Sequence, residues 1–304
     1  MPDAKILGAT AVAVGAVVLG GTIWMAARGG PPPASLQVAT EPVAARILSV
    51  NVTSDEILLA VAPERLIGLS VVADDPDSSN VVREAAMVPG RVSGDLEQIL
   101  MLAPDLVVIG AHNADVARQV EGFGMRVFRI QGFESIDWIA SLIRTLGAAA
   151  GASDRAERIV AEMANRIEAV RVRVAGRARP RVLLYSESGW VGGGRTTLDD
   201  VIRAAGGVNV AAELGITGWR KVSPEQIVMA DPEVILLRDA RRWESGFRGA
   251  LLAEPAFQSV SALRDGRVYG VPARLLVTSS QHIADTVEAI ARLLHPELFR
   301  ESAA

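Results

Sequence analysis

The chain has 304 residues, enough for one large or two ordinary domains, and half of them are apolar, which excludes a disordered or low-complexity protein. With 31 basic against 35 acidic residues the net charge is −4, which argues against nucleic acid as the main partner. The sequence holds no cysteine, so disulfides, thiolate metal sites, iron–sulfur clusters, Cys nucleophiles and a lipid-modified N-terminal Cys are excluded. Aromatics make up only 4%, so each Trp or Tyr in a loop carries information.

Ile6 to Ala27 carry no charge, with Lys5 before and Arg28 after. At about 1.5 Å per residue the run is long enough to span a bilayer. Residues 1–28 read as a signal-anchor or a signal peptide, and because Met25-Ala26-Ala27 makes a poor cleavage site the uncleaved anchor is favoured. Residues 29–44 read as a linker rich in proline (Pro31, Pro32, Pro33, Pro42). The folded part is therefore expected outside the cytoplasm, tethered or released.

From residue 45 short apolar runs alternate with helical patterns. Strands are expected at Arg46–Val50, Leu66–Val71, Leu106–Ile109 and Arg126–Ile130. A helix is expected at Asp55–Val61, capped by Thr53 or Ser54, and another from Ile136 to Leu146, stopped by Gly147. This alternation implies βαβ units and a largely parallel sheet, an N-terminal α/β lobe over residues 45–151. In residues 152–176 the apolar positions Ala156, Ile159, Val160, Met163, Ile167, Val170 and Val174 form one helical stripe. Ser153 is expected to cap this helix, with Gly176 and Pro180 ending it. A second α/β lobe follows over 177–300, with strands at Arg181–Tyr185, Val234–Leu237 and Arg267–Val271 and a closing helix from Ala284 to Leu294. The expected fold class is α/β: two Rossmann-like lobes joined by one long rigid helix, with a ligand cleft between them.

One segment recurs without a gap. Glu97-Gln98-Ile99-Leu100-Met101 with Pro104-Asp105-Leu106 matches Glu225-Gln226-Ile227-Val228-Met229 with Pro232-Glu233-Val234, each position 128 residues after its counterpart. Asp95 and Ser223 fit helix N-caps, and Gln98 and Gln226 complete capping boxes. Glu97 and Glu225 suit the helix dipole, and their equivalent placement also suits a matched pair of docking charges.

Taken in order, RILSVNVTSDEILL, DLEQILMLAPDLVVI, the Gly-rich turn at Gly192 with Gly206-Gly207-Val208-Asn209-Val210, VSPEQIVMADPEVI and RDGRVYGVP resemble the solute-binding proteins of ABC importers, specifically the iron-siderophore and cobalamin type. The resemblance covers roughly residues 45 to 299. It implies two lobes bridged by a rigid helix and a cleft that binds a metal chelate. It also implies one acid per lobe, matching Glu97 and Glu225, that docks onto arginines of an ABC permease.

In open α/β folds ligands lie beyond the carboxyl ends of the strands. The loops there offer Asn51, Thr53, Arg91, His112, Asn113, Ser186, Glu187, Trp190, Trp219, Arg220, Arg238, Arg241, Arg242, Trp243 and Arg274, with Tyr185 at the end of its strand. Trp190, Trp219 and Trp243 suit a broad ligand face, and the arginines suit carboxylate or phenolate oxygens. The resemblance puts an aromatic at Trp219 in cobalamin binders. Arg91 stands where such binders carry an aromatic, so a ferric siderophore is expected first and a corrinoid next, with no intrinsic cofactor. In the haem-binding branch the ligand is a Tyr, and neither Tyr185 nor Tyr269 matches its position. Asp75-x-Asp77 lacks the Gly and Glu of a calcium loop, and three histidines (His112, His282, His295) are too few for a bare-metal site. No nucleophile–base pair or nucleotide loop supports an enzyme. Transport and ligand sensing without transport both remain open.

Overall fold

A computed structural model describes residues 42–132, 134–186, 188–239 and 246–299. The expected anchor and most of the linker lie outside these. Among the described residues no helix is long and apolar enough to cross a membrane.

The N-terminal lobe runs β1 (Ile47–Ser49), α1 (Val52–Val61), β2 (Leu66–Ser70), α2 (Val82–Ala85), β3 (Arg91–Val92), α3 (Leu96–Leu102), β4 (Leu106–Gly110), α4 (Ala114–Gly122), β5 (Arg126–Ile130) and α5 (Ile136–Ala149). Its five strands pair in parallel in the order β3-β2-β1-β4-β5. β4 is buried along its whole length, as a parallel strand covered on both faces must be. The helix α6 (Ser153–Val174) then leads to the C-terminal lobe. That lobe runs β6 (Arg181–Tyr185), β7 (Trp190–Gly192), α7 (Thr197–Ala204), β8 (Val208–Asn209), α8 (Val210–Glu213), β9 (Trp219–Lys221), α9 (Pro224–Ala230), β10 (Val234–Asp239), α10 (Phe247–Ala253), α11 (Ser261–Arg264), β11 (Val268–Pro272), α12 (Ala273–Val277) and α13 (Ile283–Leu294). Its parallel sheet has the order β11-β10-β6-β8, and β7 and β9 form a separate antiparallel ribbon.

The long helix is present at full length, 22 residues. Ala156, Val160, Met163, Ile167, Val170 and Val174 are buried on it, and one hydrophobic core runs through it from α1 and α5 to α7 and α13. Each of the larger side chains among them, withdrawn from water, contributes roughly 1.5–3 kcal/mol. Arg166 on α6 donates to Glu288 at 2.9 Å and Asp285 at 2.5 Å, tying it to α13.

Several local expectations are corrected. Gly147 does not stop α5, which continues to Ala149. A Cβ there would sit 2.4 Å from Ala156 Cβ, so the glycine lets α5 and α6 touch. Helix α1 starts at Val52, because Asn51 rather than Thr53 or Ser54 accepts the cap bond, from the Thr53 N–H at 2.9 Å. Ser153 lies inside α6, and Ala152 at its N-cap makes no side-chain bond. Ala44, placed in the expected linker, is fully buried, and its N–H donates to Ala149 O at 2.8 Å.

Candidate ligand cleft and docking tips

The C-terminal lobe carries the β7/β9 ribbon beside its parallel sheet. Trp190 pairs with Lys221, Val191 with Arg220 and Gly192 with Trp219. Side chains alternate along a strand, so Trp190, Gly192, Trp219 and Lys221 share one face and Val191 and Arg220 the other. Val191 is fully buried, whereas Trp190 is 41% and Trp219 56% exposed. Gly192 leaves room for the Trp219 ring, whose edge would lie 3.3 Å from a Cβ there. The Lys221 ammonium sits 5.9 Å from the Trp190 ring centroid, within cation–π range. Ser186 fixes the approach to Trp190: its Oγ accepts the Trp190 N–H at 2.9 Å, and its own N–H donates to Trp190 O at 3.3 Å. At Gly193 the chain passes so close to Ile216 O (2.1 Å from a built Cβ) that any side chain would clash. Gly193 therefore serves close backbone packing, and Gly192 makes room for side chains.

Other expected cleft residues are committed elsewhere. Arg91 donates from Nε to Asp74 at 2.7 Å and from its remaining nitrogens to Asp74, Val88 O, Gly90 O and Ala85 O. Asp74 holds the Arg91 guanidinium above its ordinary pKa, and the carboxyl of Asp74 is pulled down in turn. Arg91 is thus a local clamp with its donors used, and the expectation that it meets an anionic chelate is corrected. Asn51 spends its oxygen on the α1 cap, and Thr53 is buried. Tyr185 is a core residue: it is buried against Phe257 at 6.3 Å between ring centroids, and burial raises its phenol pKa. Tyr269 is half-buried against the main core. Arg220 points away from the tryptophan face. Arg238, near the end of β10, and Arg274, in the first turn of α12, are exposed. Glu187, Arg241, Arg242 and Trp243 and the His112 side chain lie outside the described residues. Asp75 accepts from the Asp77 N–H at 3.1 Å and from Ser78 Oγ at 2.9 Å, which makes it a turn.

Two acids that the sequence reading passed over are buried side by side on α1. Glu56 is buried on α1 and accepts at 2.7 Å from Thr278 and 2.5 Å from Ser280, across to the other lobe. Its second oxygen takes the Asn80 N–H and side-chain N–H, both at 2.9 Å. Neighbouring Asp55, fully buried, accepts from Ser70 Oγ at 2.5 Å. Burial pushes its pKa up to about 7, against the lowering effect of its bonds with Ser49 and Ser70. The only hint was a pair of adjacent acids opening an apolar run, which reads equally well as an exposed first helical turn. On the opposite side of the connection Asp200 on α7 accepts the Ile136 N–H at 3.1 Å, and Arg195 faces Glu134 at 3.5 Å.

The repeated segment has one geometry in both lobes. Ile99 and Ile227 are buried while Glu97 and Glu225 are exposed in the first turns of α3 and α9. Both helices end on a left-handed residue that is not glycine, Ala103 (φ 46°) and Asp231 (φ 40°). An arginine at the start of each lobe's first strand fastens the helix end. Arg46 donates to Ala103 O and Leu102 O, and Arg181 to Asp231 O. Asp105 and Glu233 accept the backbone N–H groups of Arg46 and Arg181 in return. The capping box is complete at Ser223–Gln226. Its N-terminal counterpart is corrected: Gln98 instead accepts the Ser93 N–H at 3.0 Å, and Asp95 takes the Ser93 hydroxyl. Glu225 is held below the usual carboxylate range by its bond with Ser223.

Two parallel α/β lobes on one continuous helix, with an aromatic face at the strand ends and matched acids on repeated helices, define a two-lobed solute-binding protein. The family model for periplasmic binding proteins matches residues 47–275, and the chain belongs to that family. The uncharacterised ABC transporter substrate-binding lipoprotein YvrC of Bacillus subtilis is 22% identical over 84% of this chain and 82% of its own length. A cobalamin-binding protein of Halobacterium salinarum is 28% identical over 66% of this chain, which spans 56% of that relative's length. Among solved structures, the apo periplasmic heme-binding protein RhuT of Roseiflexus sp. RS-1 superposes with a TM-score of 0.71 at 26% identity, covering 83% of this chain and 98% of that one.

Proposed function

We propose that this protein is the extracytoplasmic substrate-binding component of an ABC importer, that it captures a corrinoid between its lobes, and that it hands it to a permease through Glu97 and Glu225. The observation that carries the ligand reading is the exposed Trp190–Trp219 face, a broad apolar surface with two ring N–H donors. The sequence placed a ferric siderophore ahead of a corrinoid because of Arg91. With that guanidinium engaged by Asp74, the argument for an anionic chelate loses its main residue. The cobalamin-binding relative supports the same ranking. Haem finds less support, although a heme-binding structure is similar, because Tyr185 is in the core and Tyr269 packs on it. The binding role is chosen over an enzyme because the family consists of binding proteins. Residues 1–28 supply a tether in this reading.

The test is a titration of the purified chain with cyanocobalamin, haemin and a ferric catecholate, followed by calorimetry and Trp fluorescence. Saturable binding of the corrinoid with a fluorescence change is expected. Saturation by haemin or the ferric catecholate, with no response to the corrinoid, would overturn the ligand assignment.

A further inference from the structure

The two tips share a feature that their acids do not account for. Met101 is 84% and Met229 86% exposed; among the large apolar side chains of the described residues only Met87, outside the repeat, is comparably bare at 83%. Met101 and Met229 occupy the same position of the repeat. Each lies four residues after its glutamate, and so one turn along the same helix face. Folding gains nothing from a thioether left in water, and in each helix the neighbouring isoleucine already anchors the lobe. On the C-terminal tip Met229 is one wall of an open cavity of about 190 Å³, lined also by Leu214, Ile216, Arg220, Val222 and Gln226. Leu214 is itself 48% exposed.

We propose that Met101 and Met229 are the apolar half of the two docking contacts, and that the cavity beside Met229 receives an apolar side chain of the permease. This rests on the docking reading of Glu97 and Glu225. The partner it fits is a permease surface that presents a basic residue next to an apolar one, and presents that pair twice. The basic head meets the glutamate, and its methylene stem covers the methionine one turn away. The carboxylate of Glu225, which the bond from Ser223 favours further, fixes the sign of the group it accepts. Arg220 on the cavity rim disfavours a cation inside, so the inserted group is apolar while the basic one stays at the glutamate. Two equivalent sets on two lobes call for a partner that repeats its own surface, as a symmetric dimer does.

The test places a photo-crosslinking amino acid at position 214 of the full chain in its own host, with mass spectrometry of the membrane adducts. A second reporter at position 98, exposed beside Glu97 in the first turn of α3, reads the charged contact independently with Glu97 left in place. Both reporters are expected to label the same ABC permease. Met101→Gln with Met229→Gln should lower the position-214 yield about tenfold, the scale of losing buried apolar contacts at two sites. Glu97→Lys with Glu225→Lys should abolish it. If the lysine pair abolishes labelling and the glutamine pair leaves it unchanged, the apolar contact is wrong and the charged docking stands. If position 98 labels the permease and position 214 does not, the cavity is outside the interface. If the lysine pair labels as the wild type does, or neither reporter reaches a permease, the docking reading itself falls, and this inference with it.

Discussion

Thr278 of the C-terminal lobe donates to Glu56 of the N-terminal lobe at 2.7 Å, and the carboxylate that joins them is 1% exposed. Ser280 and Asn80 complete the set, so one buried acid serves donors from both sides of the connection. Glu56→Ala would leave these donors without an acceptor. A loss of about 2–4 kcal/mol is expected in urea unfolding, with Glu56→Gln recovering part of it.

Asp55 makes stability depend on pH. Its folded pKa of about 7 lies above the ordinary 3.8. Between those values the unfolded chain has released this proton while the folded protein keeps it, so this group's contribution falls as pH rises from about 4 to about 7 and is level beyond. Asp55→Asn removes the burial cost of the charge. It should flatten the pH profile in that window and gain stability at pH 8, on the order of a few kcal/mol. Thermal unfolding of both proteins from pH 4 to pH 8 checks this. Parallel profiles would place the Asp55 pKa near its ordinary value.

The tryptophan face gives a binding prediction. Trp219→Ala should weaken corrinoid binding by at least about 1 kcal/mol, the threshold for an aromatic anchor. Trp190→Ala should do the same, and Arg220→Ala should leave affinity unchanged because Arg220 points to the other side of the ribbon. Calorimetric titration of the three variants separates the faces.

The continuous core through α6 predicts limited motion. A helix buried against both lobes resists the large closure open to strand hinges, so free and loaded protein should differ by a small lobe rotation. Nearly superimposable solution-scattering curves are expected. A marked fall in radius of gyration on adding ligand would contradict this.

What could be read from sequence was what depends on local periodicity. The α6 stripe has only one helical solution, and the ungapped repeat at Glu97 and Glu225 exposed the common plan of the lobes. What could not be read depends on partners distant in sequence. Arg91 looked available because Asp74 is 17 residues away, and Glu56 was passed over because Ser280, which binds it, is 224 residues away. Gly147 has the composition of a stop, and only the crossing of α5 on Ala156 reveals it as a contact. Arg220 and Trp219 are neighbours in sequence, yet the ribbon's alternation sends them to opposite faces.

The most direct test of the account is cellular uptake of radiolabelled cyanocobalamin at limiting concentration. Deleting the gene in its host should abolish uptake, and the wild-type chain should restore it. Glu97→Lys with Glu225→Lys should not restore it, although the purified double variant binds cyanocobalamin as tightly as the wild type. Both acids are exposed in the first turns of α3 and α9, off the β7/β9 ribbon, so charge reversal is expected to reach docking and leave the tryptophan face intact. Wild-type uptake by a double variant that binds normally would show that these acids do not dock the protein, and unchanged uptake in the deletion strain would contradict the import role.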